Sequence, residues 1–540
     1  MKHVSWLFLI AFGFAACAAP QAADRTTGDG QPKYGGVINM RYESDPYDFD
    51  LSYAGKAAGT GDLMRTVTES LMGFKAGGDV AYMDKVFRPE LAERWEVSPD
   101  ARSYTFYLRK GARFHNIEPV NGRELTAADV KWSFEYYSRT GEFKEKKLPT
   151  AQFEWMFEGM ERIETPDPYT VIIRFKEPFA PFLTYAASDY TAIVPKEIYA
   201  ADGHFKDRII GTGAFFLNVS ASQKGTRWVT TKNPNYWMPD RPYLDEARAL
   251  ILTDDSAAVA AFQTKRLDWL GPELPVKMGQ ETLRGAPDAV AFKYPKAEPI
   301  HIYMNHKQPP LDDVRVRQAI SLATDPDEFI KVMSDGEGGW ALAGTLAGML
   351  SDQEVKEIVR YDPEQAKRLL QQAGYGSGLT IPFEYPPDRG QERIIWFELF
   401  AAQMKRVGIT LQPVVMPYAE YSTYRKAGKH HLNITSKDVV ADVDSYIYGV
   451  FYPNNRNNYD GVNDPDLTKL LEAQRREADP EKRMQLIKQA VRMINGEPKW
   501  LGRALYFGMN YELWHPYVKG FGLNYHEEGW DVLVHTWLDK

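Results

Sequence analysis

The residue types that could do chemistry are few and scattered along this chain. His430-His431 is a pair of adjacent imidazoles, the beginning of a metal site if carboxylates or a third nitrogen joined them. It lies in a basic stretch, Arg425 to His431, which also reads as a solvated turn before a strand. Asp254-Asp255 and Asp312-Asp313 pair carboxylates, the raw material of acid–base work. Gly211-Thr-Gly213 has the look of a phosphate loop, but no lysine–hydroxyl pair follows it. Cys17 is the single thiol, so no internal disulfide can form. CxxC, HExxH, Walker and GxSxG patterns are all missing. These residues point away from an enzyme, and to neither a cofactor nor a metal. What remains is recognition.

The elements that would position a recognition site are easier to read. Between Pro89 and Tyr137 the residues Tyr104, Phe106 and Leu108 alternate with Thr105, Tyr107 and Arg109, the period of a half-buried strand. Gly111, Pro119, Asn121 and Gly122 break the chain into a loop. Thr126 and Asp129 then have capping-box spacing, and Val130, Phe134 and Tyr137 continue at helical spacing. Asp325-Pro326, Asp362-Pro363, Asp464-Pro465 and Asp479-Pro480 each place an acid cap before a proline at the first helical position. Leu369, Leu370 and Ala373, with Gly374 as a stop, and Ile487, Ala490, Val491 and Ile494 are apolar stripes at helical spacing. No short-period repeat is visible, which excludes solenoids and propellers.

With 540 residues the chain has room for roughly three to four domain-sized units. The net charge of −8 argues against nucleic acid as a partner, since phosphate binding needs a basic surface. The 31 Tyr, 27 Phe and 13 Trp serve a large core and suit a cleft lined by rings. Met1-Lys2-His3 followed by the apolar run Val4 to Ala16 is too short to span a bilayer and reads as a secretory signal over residues 1–23. Phe14-Ala15-Ala16-Cys17 matches a lipidation site apart from Phe14, where leucine is usual; cleavage near Ala19 or Ala23 is the alternative. Residues 24–33 are polar and read as a tether.

The wording of Pro89 to Tyr137, PELAERWEVSPDARSYTFYLRKGARFHNIEPVNGRELTAADVKWSFEYY, closely resembles the signature of family 5 extracellular solute-binding proteins. These are the binding components of peptide- and nickel-type ABC importers. Tyr34-Gly-Gly-Val37, Thr68-Glu-Ser-Leu-Met72, Gly211-Thr-Gly-Ala-Phe215, Asn233-Pro-Asn-Tyr-Trp237, Arg241-Pro-Tyr-Leu-Asp245 and Pro310 to Ile320 resemble further family segments. In that pattern Asp254-Asp255 and Asp312-Asp313 stand at helix starts and read as caps. The resemblance implies an α/β periplasmic binding protein of type II, a bilobal Venus flytrap with an extra inserted domain (the cluster C class). Lobe I is expected from 34–75, 190–296 and 503–540, an inserted domain from 76–189, and lobe II from 297–502.

It also implies a monomer in the periplasm that passes a small peptide or peptide-like solute to permease subunits with their ATPases. A non-peptide solute (an opine, an oligosaccharide or a metal complex) is the alternative, and a sensor using the same fold is another. The ligand segment would be Ser436 to Tyr459, where family members hold a ligand ammonium on an aspartate. Asp438, Asp442 and Asp444 all compete for that role, with Asp444 also placed to cap the helix at Ser445-Tyr446. Tyr42, Glu43, Ser44 and Tyr47 would lie at the cleft mouth. Arg393 is placed to pair with a ligand carboxylate, with Trp396 beside it and Tyr506 near the hinge.

Overall fold

The computed structural model describes residues 31–46, 48–52, 60–76, 80–296, 299–436, 442–453, 455, 457–523 and 531–540. The segment that reads most clearly in sequence forms one side of an antiparallel sheet, in the order Ala92–Val97, Ser103–Leu108, Thr170–Phe175, Met160–Asp167. Tyr104, Phe106 and Leu108 are buried and the residues between them are half-buried, as the alternation requires. The Ala127–Ser138 helix packs behind this sheet. The Asp129 carboxylate reaches back 2.9 Å to the backbone N–H of Thr126 and is itself gripped by Arg123 at 2.7 Å. Both edge strands carry register shifts, and both alternate acids and bases along their length: Arg94 with Glu96, and Arg162 with Glu161 and Glu164.

Two further sheets lie alongside. In one, Val37–Tyr42 runs parallel to Glu246–Ile251, which continues antiparallel into Arg227–Lys232 and Phe215–Leu217. The other joins Leu274–Pro275 and Val290–Pro295 to the long strand Tyr506–Trp514. The family-like motifs meet in one place. Gly211 and Gly213 pass so close to the Thr66–Thr68 backbone that a Cβ on Gly211 would stand 2.1 Å from the Val67 carbonyl. Glu69, from the Thr68 to Met72 motif, accepts hydrogen bonds from Tyr236 (2.8 Å) and from the Trp237 indole (2.9 Å) of the Asn233 to Trp237 motif. Gly211-Thr-Gly213 is therefore a packing turn. One continuous apolar cluster fuses the antiparallel sheet to the sheet containing Val37–Tyr42, from Ile38 through Phe106 and Phe182 to Leu538.

A second unit is built on a five-stranded sheet ordered Ile409–Val415, Leu379–Tyr385, Leu432–Ser436, Ile300–Met304, Arg503–Ala504. Separate apolar clusters cover its two sides. One holds Ile302, Phe383, Phe400 and Ile434, and the other Tyr303, Tyr446, Ile447 and Val491. The chain passes between the units from Pro295 to Ile300 and again through Arg503 to Tyr506. The strand Tyr506–Trp514 is shared: it pairs with Val290–Pro295 of the first unit and with Gly338–Trp340 of the second. At this passage Arg503 is fully buried and donates through Nη1 to the Ala341 carbonyl at 3.2 Å. Burial without an acid beside it pulls its guanidinium down to about 9.

His115 ties the two motif loops of the first unit together. Its Nδ1 accepts from the Gly211 N–H at 3.3 Å, which leaves Nε2 to donate to the Gly213 carbonyl at 3.0 Å. The ring is thus neutral, and burial holds its pKa near 4 against an ordinary 6.5. An unfolded chain binds this proton below pH 6.5, whereas the folded chain refuses it until about pH 4. Stability attributable to His115 is therefore complete above pH 6.5 and is lost as pH falls toward 4. The loss should be on the order of 3 kcal/mol. Urea unfolding of His115→Gln should start from a lower stability at pH 7 and show a shallower decline on acidification than the unaltered protein.

Candidate functional site

In open α/β sheets a ligand meets the edge formed by the carboxyl ends of parallel strands. Here Leu379–Tyr385 runs parallel to both Ile409–Val415 and Leu432–Ser436, so Tyr385, Val415 and Ser436 share one edge. Ser436 is also paired with Ile300, the residue at which the chain arrives from the first unit. This edge of the second unit is therefore the one beside the passage between units, and the candidate site lies there.

Three of the residues singled out from sequence come together on it. Gly390, at a φ of +123°, turns the chain into the Gln391–Lys405 helix, a conformation that favours glycine. Arg393, in the first turn, donates from Nη1 to Thr435 Oγ1 at 2.6 Å, one residue before Ser436. Its guanidinium carbon lies 4.7 Å from the Trp396 ring, and Nε has no hydrogen-bond acceptor, with Glu392 at 3.7 Å. Burial lowers its pKa. The Trp396 indole in turn donates to Tyr506 Oη at 3.3 Å. Burial raises that phenol to about 12, so it stays protonated. The unbonded Nε is itself enclosed, so a carboxylate at this edge would meet the cation through the part of the guanidinium that remains exposed.

The acidic segment is only partly in view. Asp438 lies outside the described residues, as do Tyr47 and Cys17. Asp442 and Asp444 are buried, and neither carboxylate is idle. Asp442 is held by Arg483 (2.7 Å) and by Lys85 (2.8 Å). Burial alone would raise its pKa, but Arg483 and then Lys85 hold it well below the ordinary carboxylate range. Asp444 receives Arg475 (3.0 Å), the Tyr185 hydroxyl (2.8 Å) and the Gln474 amide. The expectation that Asp444 caps a helix is corrected here. The helix is Asp444–Phe451, Asp444 is its first residue, and Asp442 Oδ1 accepts from the Asp444 N–H at 2.9 Å. Tyr446 is fully buried and bonds His301 Nδ1 on the underside of the five-stranded sheet.

Tyr42 ends the Val37–Tyr42 strand in a buried position, and its carbonyl accepts from Leu252 N–H at 2.9 Å. Glu43 is exposed and 3.8 Å from Arg41. These two belong to the first unit and do not join the Arg393 group. The solvated turn expected around His430-His431 is also corrected. His430 is fully buried with Nε2 2.8 Å from Asp460, and His431 lies 3.1 Å from the buried Glu384. Arg425 stacks 4.0 Å over the Tyr303 ring. Among the described residues no group of three or more His, Cys, Asp or Glu could hold a metal ion. Asp254 and Asp313 do cap helices, accepting from the N–H groups of Ala257 (2.7 Å) and Arg315 (2.8 Å).

Sequence reading missed Lys85, Glu158, Tyr185, Arg475 and Arg483. Their partners stand far off in the chain, beyond the reach of periodicity. One signal was present. Arg483 sits in the first turn of the Pro480–Asn495 helix, where the helix dipole disfavours a cation, so a specific acid partner was to be expected.

A model of the family described as "Bacterial extracellular solute-binding proteins, family 5 Middle" matches residues 86–458. A dipeptide-binding protein of Escherichia coli (strain K12) is 30% identical over 428 residues, covering 74% of this chain and 78% of its own. Among solved structures, the periplasmic binding protein DppA of Helicobacter pylori, in complex with the peptide STSA, superimposes with a TM-score of 0.77 at 23% identity, covering 94% of this chain and 99% of its own. AgaA of A. tumefacien R10, in complex with agropinic acid, gives a TM-score of 0.76 at 21% identity over 94% of this chain and 99% of its own.

Removing the Asp444 carboxylate would leave the Arg475 guanidinium buried beside Tyr185 with only Glu158 as a counter-charge. Asp444→Ala should therefore cost about 3–5 kcal/mol in unfolding free energy, measured by urea titration. A loss within error of zero would mean that water, not Asp444, solvates Arg475.

Proposed function

The chain belongs to the bacterial extracellular solute-binding proteins of family 5, and on that premise we propose that it captures a small peptide or peptide-like solute. In this reading the solute sits between the two units and is delivered to an ABC permease with its ATPases. The observation that carries the peptide reading is the carboxyl edge of the five-stranded sheet. Arg393 offers a largely buried guanidinium, anchored on Thr435, whose exposed part would meet a ligand carboxylate. The segment leaving Ser436 leads through Asp438, which is assigned the ligand ammonium. Backbone hydrogen bonds to an extended ligand would add affinity without selecting side chains. The dipeptide-binding relative from Escherichia coli supports the same class of solute.

The protein acts by binding and not as an enzyme. Lobe I is assigned to 34–75, 190–296 and 503–540 except for the strand Arg503–Ala504, which pairs with Ile300–Met304 in the second unit; the inserted domain is assigned to 76–189 and lobe II to 297–502. Residues 1–23 direct export to the periplasm, with Cys17 the residue that would carry a lipid. No helix among the described residues is long and apolar enough to cross a membrane. A second reading, an opine-like solute, is favoured by the likeness to AgaA, which was solved with agropinic acid. Such a solute also carries carboxylates for Arg393 to hold.

Native mass spectrometry of the purified mature protein, before and after mild unfolding, separates the two. A ladder of small masses that fragment as peptides is the expected result. One discrete non-peptide mass would overturn the peptide assignment and name the alternative class.

A further inference from the structure

The two units meet through charge rather than through apolar surface. The apolar cluster of the first unit includes Phe179, Phe182 and Tyr185, and that of the second includes Tyr446, Tyr448 and Leu471, but the clusters remain separate. Between them stand three acids and three bases. Asp442 and Asp444, with Arg475 and Arg483, come from the second unit, where they form two ion pairs of their own. The first unit completes each pair from outside. Lys85 Nζ reaches Asp442 at 2.8 Å, Tyr185 Oη donates to Asp444 at 2.8 Å, and Glu158 bonds Arg475. Tyr448 Oη also donates to Glu158 at 3.3 Å, and the Ala180 N–H donates to the Arg475 carbonyl at 2.8 Å.

We propose that this cluster is a clasp that holds the cleft closed, with Lys85 and Glu158 as its detachable half. It rests on the proposal above that the solute sits between the two units, and adds that the units close over it. Three features carry it. The charges balance within each unit: Lys85 against Glu158 on one side, two aspartates against two arginines on the other. Separation therefore strands no buried charge, because Asp442 keeps Arg483 and Asp444 keeps Arg475. The second-unit members are almost wholly enclosed, while Lys85 and Glu158 side chains are 30% and 48% exposed and return to water readily.

The clasp also bears on the ligand segment. Asp442 lies within the Ser436 to Tyr459 stretch expected to meet the solute, and it is the residue that Lys85 holds. Capture by that segment and closure by Lys85 are then linked through one side chain, and Lys85 is a positioning residue for binding. A solute that touches both units when they are closed favours the clasp, and the clasp favours the solute, by the same factor.

The test needs no solute. The full mature protein is unfolded, freed of anything carried through purification, refolded, and measured by small-angle X-ray scattering beside a Lys85→Met/Glu158→Gln variant. The unaltered protein should be compact, and the variant should show a larger radius of gyration, for a drop of roughly tenfold in the closed-to-open ratio. Raising the salt from about 0.05 M to about 1 M should expand the unaltered protein and leave the variant unchanged. Lys85→Arg should remain compact. Equal radii for protein and variant at low salt, with far-ultraviolet circular dichroism confirming that both are folded, would overturn the clasp. So would an unaltered protein that is already expanded at low salt. Because no solute is present, either result stands apart from the solute identity read by mass spectrometry.

Discussion

Two carboxylates buried at the junction of the units set the terms for much of what surrounds them. A buried ionised acid is intolerable without cations and hydrogen bonds. Asp442 and Asp444 are fully enclosed, so the chain must bring Arg475 and Arg483 to them. That requirement fixes the helix Asp444–Phe451 against the end of Pro465–Arg476 and the start of Pro480–Asn495. Asp464 and Asp479 cap those two helices and hold the arginines in reach. The side of the second unit that faces its neighbour is shaped by charge neutralisation first and by apolar packing behind it.

The contrast between apolar and polar contacts separates the packed bodies from the junction between them. A continuous apolar cluster welds the antiparallel sheet to the sheet containing Val37–Tyr42. Two others cover the faces of the five-stranded sheet. Exposing such surface is expensive in water, roughly 25 cal/mol for each Å², so these bodies hold together. The contacts across the junction are ion pairs and hydrogen bonds, and the partly exposed Lys85 and Glu158 among them exchange with water at low cost. The shared strand Tyr506–Trp514 remains paired on both sides and gives the bodies a common axis. Tyr506, bonded to Trp396, stands where that strand leaves the second unit.

Local order was legible in sequence wherever the cause was local. The alternation at Tyr104, Phe106 and Leu108 and the caps at Asp254, Asp325, Asp362, Asp464 and Asp479 follow from backbone hydrogen bonding within a few residues. The long family-like wording carried the fold class, which the superposition on DppA of Helicobacter pylori supports. What could not be read was anything depending on distant partners. His430 looked solvated because its neighbours are basic, yet it is buried against Asp460 thirty residues on. Asp444 looked like a cap, yet its role is set by Arg475 and by Tyr185 from the other unit. Of the candidate site, the spacing Arg393 to Trp396 was visible as one turn of helix, but its link to Thr435 and Tyr506 required the folded sheet.

The proposed hold on extended chains through their backbones brings a hazard of its own, since any open sheet border can do the same. The antiparallel sheet ends in Ala92–Val97 on one border and Met160–Asp167 on the other, both half-exposed. Each is dislocated by register shifts and studded with opposed charges, from Arg94 and Glu96 to Arg162 and Glu164. An unfolded chain drifting against either border finds donors and acceptors out of step and charged groups to desolvate. Stray capture is suppressed where it would be useless. The same dislocation and charge discourage border-to-border pairing between copies of this chain.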